Sequence, residues 1–129
     1  MIKMIKRLVF ILFLCSAFGY SQTLENQIYN HLDQFVKQPN PKTLKQLATN
    51  ASDFSKQVKT DQEHLALVVL YCNMGYYFKQ YENPQKATLY YEKASSIYYE
   101  KQLAGYDIIE YCLKPLGNLY TILGDFANA

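Results

Sequence analysis

Beyond residue 21 the chain has no arginine; its single arginine is Arg7. Ten lysines then face eleven carboxylates, a net charge of −1. A nucleic-acid surface needs a basic face and the guanidinium fork that grips phosphate and guanine. Neither is available, so no nucleic-acid partner is expected. Cysteine is nearly as scarce, with only Cys72 and Cys112 in the same region. Isolated on helix-like segments, they read as small buried apolar residues in preference to a disulfide. No CxxC pair or clustered histidine accompanies them, so no metal site is expected. His31 and His64 stand alone and suit surface or cap positions. A glycine-rich phosphate loop and a supported Ser-His-Asp or Cys-His pair are both missing. Asp33, Asp61, Glu92 and Glu110 scatter over polar faces. The expectation is a chain with no catalytic residue, no metal and no cofactor. No segment beyond residue 21 alternates with period two, which argues against half-buried strands.

What is present begins with an export pattern. "MIKMIKRLVFILFLCSAFGYSQ" places Lys3, Lys6 and Arg7 before an apolar run from Leu8 to Leu14. Ser16, Ala17, Gly19 and Ser21 follow. That order is the basic, apolar and small-residue sequence of a secretory signal peptide. The run is shorter than the roughly 20 residues a membrane span needs. Cleavage after Gly19 or after Ser21 satisfies the small-residue rule. Residues 1–21 are therefore read as a signal peptide, and the chain as exported, periplasmic or secreted, in the style of Gram-negative bacteria. Membrane contact is expected only through this segment.

The rest reads as all-α. In residues 24–37, Leu24, Ile28, Leu32 and Phe35 fall on one helical face. Pro39 and Pro41 stop and restart the chain. Leu44, Leu47, Ala51, Phe54 and Val58 mark a second helix over 42–59. Asp61 is the expected N-cap of a third, with His64 three residues on. Pro84 suits the first turn of a fourth. Gly105 is its expected C-cap, and Asp107 the next N-cap. Pro115 removes a hydrogen bond from the last helix and is expected to kink it.

An internal repeat follows. Gly75 matches Gly117, Phe78 matches Tyr120 and Ala87 matches Ala129, a period of 42 residues. The first copy carries Tyr71, Met74, Gly75, Phe78, Ala87, Tyr91 and Ala94. The second carries Leu116, Gly117, Tyr120, Gly124, Asp125 and Ala129. Glu82-Asn83-Pro84 stands in the first copy where the second has Gly-Asp. This spacing resembles the tetratricopeptide repeat, in the longer form typified by kinesin light chains. The resemblance implies antiparallel helix hairpins stacked as an α-solenoid. It divides the chain into a degenerate hairpin over 22–60, one repeat over 61–104 and the start of a second over 105–129. Because a repeat cannot bury its apolar face alone, the stop at Ala129 is read as the end of an N-terminal piece of a longer protein.

The same resemblance implies function. Such arrays offer a groove lined by the first helix of each repeat. Carried over position by position, the groove residues are Val69, Cys72, Tyr76, Lys79 and Gln80, then Tyr111, Lys114, Asn118, Thr121 and Ile122. Lys114 and Asn118, one turn apart, also match a pair that in some members holds a peptide carboxylate; the alternative is a solvated helix face. The implied role is an exported interaction scaffold with a protein or peptide partner. The alternative is the regulatory N-terminus of a caspase-like peptidase of the CHAT type, or of a signalling protein, with its active domain beyond Ala129. The tyrosine doublets divide between these roles. Tyr91 and Tyr98 share the Ala87–Ala94 face and are expected to pack. Tyr90 is expected at a seam or half exposed, and Tyr76 is expected to face the groove with Tyr111 beside it.

Overall fold

The computed structural model describes residues 22–125 and 127–129. The signal-peptide reading of residues 1–21 lies outside the described residues. Among those described there are five α-helices and no strand, so the fold is all-α. They are α1 (Leu24–Lys37), α2 (Pro41–Ser55), α3 (Asp61–Gln80), α4 (Pro84–Glu100) and α5 (Lys114–Ile122), with a π-helical turn, Ile109–Leu113, leading into α5. No described helix is long and apolar enough to cross a membrane.

Side-chain caps start each of the first four helices. The Thr23 hydroxyl accepts from the Asn26 amide at the head of α1. Asn40 and Thr43 form a reciprocal capping box at α2, with Pro41 in the first turn. At α3 the cap is Thr60, not Asp61. Glu63 completes a capping box there, its carboxylate accepting from the Lys59 and Thr60 amides at 2.9 and 3.0 Å. Threonine followed three residues later by glutamate satisfies two orphan amides at once, which Asp61 with His64 cannot do. The Asn83 side chain caps α4, with Pro84 at its first position. Asp107 accepts from the Glu110 amide at 3.1 Å, the cap expected of it.

Helix ends explain two further differences from the sequence reading. α2 stops at Ser55, so Val58 packs half-buried from the turn beyond it. α4 is closed by Gln102, not by Gly105. Gln102 is left-handed, with φ of 52°. The Gln102 amide donates to the Tyr99 carbonyl and the Leu103 amide to the Tyr98 carbonyl. This Schellman pair satisfies the last carbonyls of the helix. Gly105, also left-handed, serves the bend that follows.

The same closure occurs at two places 42 residues apart. At the end of α3, Glu82 has φ of 60°, and Asn83 donates to the Phe78 carbonyl at 2.8 Å. At the end of α5, Gly124 has φ of 76°, and Asp125 donates to the Tyr120 carbonyl at 2.7 Å. Glu82 and Gly124 therefore occupy one geometric position, although only glycine fits it without strain.

α3 is the central helix and packs on α1, α2 and α4; α4 in turn carries α5. Its apolar residues do not keep to one stripe. Ala66, Leu67, Val68, Leu70, Tyr71, Cys72, Met74, Gly75 and Phe78 are all buried. A helix flanked on several sides needs this broad apolar coverage. α1 and α2, at the margin, keep single faces: Ile28, Leu32 and Phe35 on one, Leu44, Leu47, Ala51 and Phe54 on the other.

The crossing of α3 and α4 depends on Gly75. A Cβ there would sit 2.7 Å from Tyr91 Cε2, inside the ring's van der Waals surface. Ala87 and Ala94, on the same face of α4 as Tyr91, are fully buried. Small residues let the two backbones approach, and the Tyr91 ring fills the space between.

Pro115 produces a local widening. Having no N–H, it cannot bond the Tyr111 carbonyl four residues back, and its ring crowds that carbonyl. The chain answers with the π turn, in which the Lys114 amide reaches back to the Ile109 carbonyl. Each residue of a π turn advances by less than the roughly 100° of an α-helix. Ile108, Cys112 and Leu116, spaced by four, therefore stay near one line, and all three are buried.

Candidate binding groove

One groove of about 640 Å3 runs between α3 and α5 and reaches Val36 near the end of α1. Its walls come from α1, α3, the π turn with Tyr106 before it, and α5. Tyr91 is the only α4 residue to reach it, beside Gly75.

Seven of the ten residues singled out from the sequence line this groove: Cys72, Tyr76, Lys79, Gln80, Tyr111, Lys114 and Asn118. Three do not. Val69 is half-buried against the core. Thr121 turns its hydroxyl back to the Gly117 carbonyl at 3.1 Å. Ile122 is 62% exposed at the end of α5. Sequence reading missed Val36, Asn73, Tyr77, Tyr91, Tyr106, Glu110 and Pro115 as lining residues. Tyr106 and Pro115 carried a signal, since one precedes a predicted groove helix and the other lies within it. Val36 carried none, because nothing local says that α1 lies against α3. That contact is made by Phe35, edge-on to Tyr77 at 4.8 Å.

Tyrosine dominates the exposed wall. Tyr76 is 49% and Tyr111 58% exposed. Tyr76 meets Tyr77 edge to face, and Tyr111 leans on Tyr106. Such rings present large rigid area with little conformational entropy to lose. Tyr90 points away from the groove. It stacks on Phe78 at 5.3 Å, half-buried, with the Lys93 ammonium over its face. Tyr98 is half-buried and donates to the Tyr106 carbonyl at 3.2 Å.

The groove's charges are lysines with one carboxylate. Lys114 is paired with Glu110 at 2.6 Å across one turn of exposed surface. That bond raises the ammonium's affinity for its proton. The Lys114 cation is thus already engaged, and Asn118 is exposed one turn further on.

Cys72, a free and buried thiol, lies in the lining, and Cys112, also free and buried, lies behind it in the π turn. The Cys112 thiol donates to the Tyr91 carbonyl at 3.2 Å. Cys112 and burial together hold the Cys72 proton far above the usual thiol range. Cys112 is shifted the other way by Cys72. Burial raises the Tyr91 and Tyr106 hydroxyls above the ordinary phenol range, with the thiols adding to it. Tyr120, raised first by burial, donates to the Glu92 carboxylate at 2.6 Å and so ties α5 to α4.

The two histidines sit away from the groove. His31 Nδ1 bonds the Gln27 carbonyl at 2.8 Å, with its ring edge-on to Phe54. His64 Nδ1 bonds the Thr60 carbonyl in the first turn of α3. No group of three or more metal-ligating side chains gathers among the described residues. No family model, curated protein or solved structure matches the chain.

Proposed function

We propose that the chain is a helical-repeat interaction module of the tetratricopeptide type, whose α3–α5 groove takes a peptide or a partner protein. One observation carries the reading. The closure at Glu82 and Asn83 recurs at Gly124 and Asp125, at the 42-residue period of Gly75 and Gly117. The same closure also ends α4 at Gln102, so it is its coincidence with the Gly75–Gly117 and Phe78–Tyr120 matches that supports stacked hairpins. The groove's lining by first helices, with Tyr76 and Tyr111 exposed on facing walls, supports a binding surface. Export belongs to the same proposal, on the basic, apolar and small-residue order of residues 1–21.

The test is selection of peptides from a random displayed library on the immobilised chain. Enriched peptides should lose at least about tenfold in affinity for Tyr76→Ala and Tyr111→Ala, the size expected for truncating an interface tyrosine. Melting temperatures should stay unchanged. Leu89→Ala, on the exposed side of α4, should bind as the parent does. No enrichment, or enriched peptides indifferent to both tyrosine changes, would refute the reading.

A further inference from the structure

We infer that the groove takes a proline-rich segment in the polyproline II conformation, seated on Tyr76–Tyr77 and Tyr106–Tyr111 with an acidic side chain at Lys79. The inference rests on the groove being a binding site and adds the chemistry of what fills it. Peptides dock on proteins in a few recurring ways, and the lining excludes most of them. Adding a strand needs a sheet edge, and the described residues hold no strand. An amphipathic helix needs an aliphatic trough, and Val36 and Pro115 are the only aliphatic residues in the lining. A phosphorylated segment needs an arginine cluster, and no arginine follows Arg7. A C-terminal carboxylate needs converging free backbone amides. The walls are helical, and amides inside a helix bond within it.

Proline-rich segments dock where aromatic rings line a groove. Five of the lining residues are tyrosines. The Tyr76 and Tyr77 rings stand at 88° with centroids 5.1 Å apart, which makes a notch on the α3 wall. The Tyr106 and Tyr111 rings lean together at 31° and 5.5 Å on the opposite side. Tyr76 and Tyr111 are both exposed, so each offers a ring face to a rigid, apolar pyrrolidine. Polyproline II has no internal hydrogen bonds, so its carbonyls are open to donors. The exposed side-chain amides of Gln80 and Asn118 supply them. Charge adds the acidic residue. The lining carries Lys79, Lys114 and Glu110. Lys114 and Glu110 pair with each other, and Lys79 is in no ion pair among the described residues. One cation is left uncompensated, and a carboxylate on the ligand complements it.

The test offers a random displayed peptide library to the immobilised full chain. Enriched peptides should carry prolines at about every third position, the polyproline II repeat, and an aspartate or glutamate. An enriched peptide, synthesised with capped ends, should show the circular-dichroism signature of polyproline II when free. Alanine in place of its prolines should cost at least about tenfold in affinity. Tyr111→Phe should bind as the parent does. Tyr111→Leu keeps apolar bulk without the ring face, and should lose at least about threefold at an unchanged melting temperature. Changing the peptide's acidic residue to its amide should cost up to about fivefold at low salt, and nothing further in Lys79→Gln. Enriched peptides that lack proline, or that bind as helices, overturn the inference and leave the groove's binding role standing. So does a proline-rich peptide indifferent to Tyr111→Leu. An acidic residue whose loss costs as much in Lys79→Gln as in the parent overturns its seat at Lys79. No enrichment at all overturns the binding role as well.

Discussion

Gly75 and Gly117 stand 42 residues apart, at matching places in two helices that end in the same way. A Cβ on Gly75 would lie 2.7 Å from the Tyr91 ring. On Gly117 it would meet, among the described residues, nothing nearer than the Ala129 carbonyl carbon, at 4.0 Å. The helix around each glycine is similar; the neighbour is not. α3 has α4 laid across it, and α5 has no corresponding ring at its glycine among the described residues. A motif glycine is therefore demanded by the helix that crosses it, not by the helix that contains it. The starts of the two helices differ in the same sense. α3 opens on a full capping box, whereas the segment before α5 opens on Asp107 and widens at once into the π turn.

Tyr91→Ala should have the largest effect, because it empties the crossing. A loss of about 3–5 kcal/mol is expected from chemical denaturation, the range for deleting a buried aromatic ring. Gly75→Ala comes next. Overpacking costs about 1–3 kcal/mol, and the helix-forming gain of alanine over glycine returns about 1. A net loss of up to about 2 kcal/mol should appear in the denaturation midpoint. That loss should shrink or reverse when Tyr91→Ala is already present, since the two residues share one contact. Gly117→Ala should instead stabilise by up to about 1 kcal/mol, the propensity gain alone. A loss equal to that of Gly75→Ala would break the contrast between the two helices. Glu82→Gly is the smallest. It gives α3 the residue that already closes α5, relieving a left-handed position at some gain in unfolded-chain entropy. A gain of about 0.5 kcal/mol is expected; a loss would mean that Glu82 makes a contact beyond its backbone role.

Much of this was legible from residue spacing, and the failures have physical reasons. Leu24 to Phe35 and Leu44 to Phe54 announced α1 and α2, because marginal helices keep one apolar face. The contact of Phe35 with Tyr77 was not legible, since it joins residues 42 apart with no local trace. The cap at Asp61 was misplaced by one residue, because an aspartate at the start of an apolar stretch competes with the threonine before it. Glu63 decides the matter through its two amide contacts. Gly105 attracted the C-cap because glycine is the usual left-handed residue. Gln102 takes that place, with the buried Leu103 just after it closing the Schellman bond to Tyr98. In the groove, the repeat spacing brought Cys72, Tyr76, Lys79 and Gln80 to one wall. It overreached at Thr121 and Ile122, which lie beyond the groove on the last turn of α5. The pairing of Lys114 with Glu110 was legible as an i, i+4 contact, but not its bearing on a lysine assigned to an anion.

Filling an interior with tyrosine has a consequence for the alkaline limit of the fold. Phenylalanine at Tyr91 would be indifferent to base. Tyr91, Tyr106 and Tyr120 carry hydroxyls whose ionisation the folded chain resists, each raised above the ordinary value of 10.0. In the unfolded chain they ionise at about that ordinary value. Their contribution is therefore complete below about pH 10 and is lost as the pH rises towards the higher folded values. The urea midpoint should fall steadily from about pH 9.5 upward, and Tyr91→Phe should make the fall shallower. A parent and variant with parallel profiles would show that the Tyr91 hydroxyl plays no part. The ring that fills the crossing of α3 and α4 thus also contributes to the chain's tolerance of base.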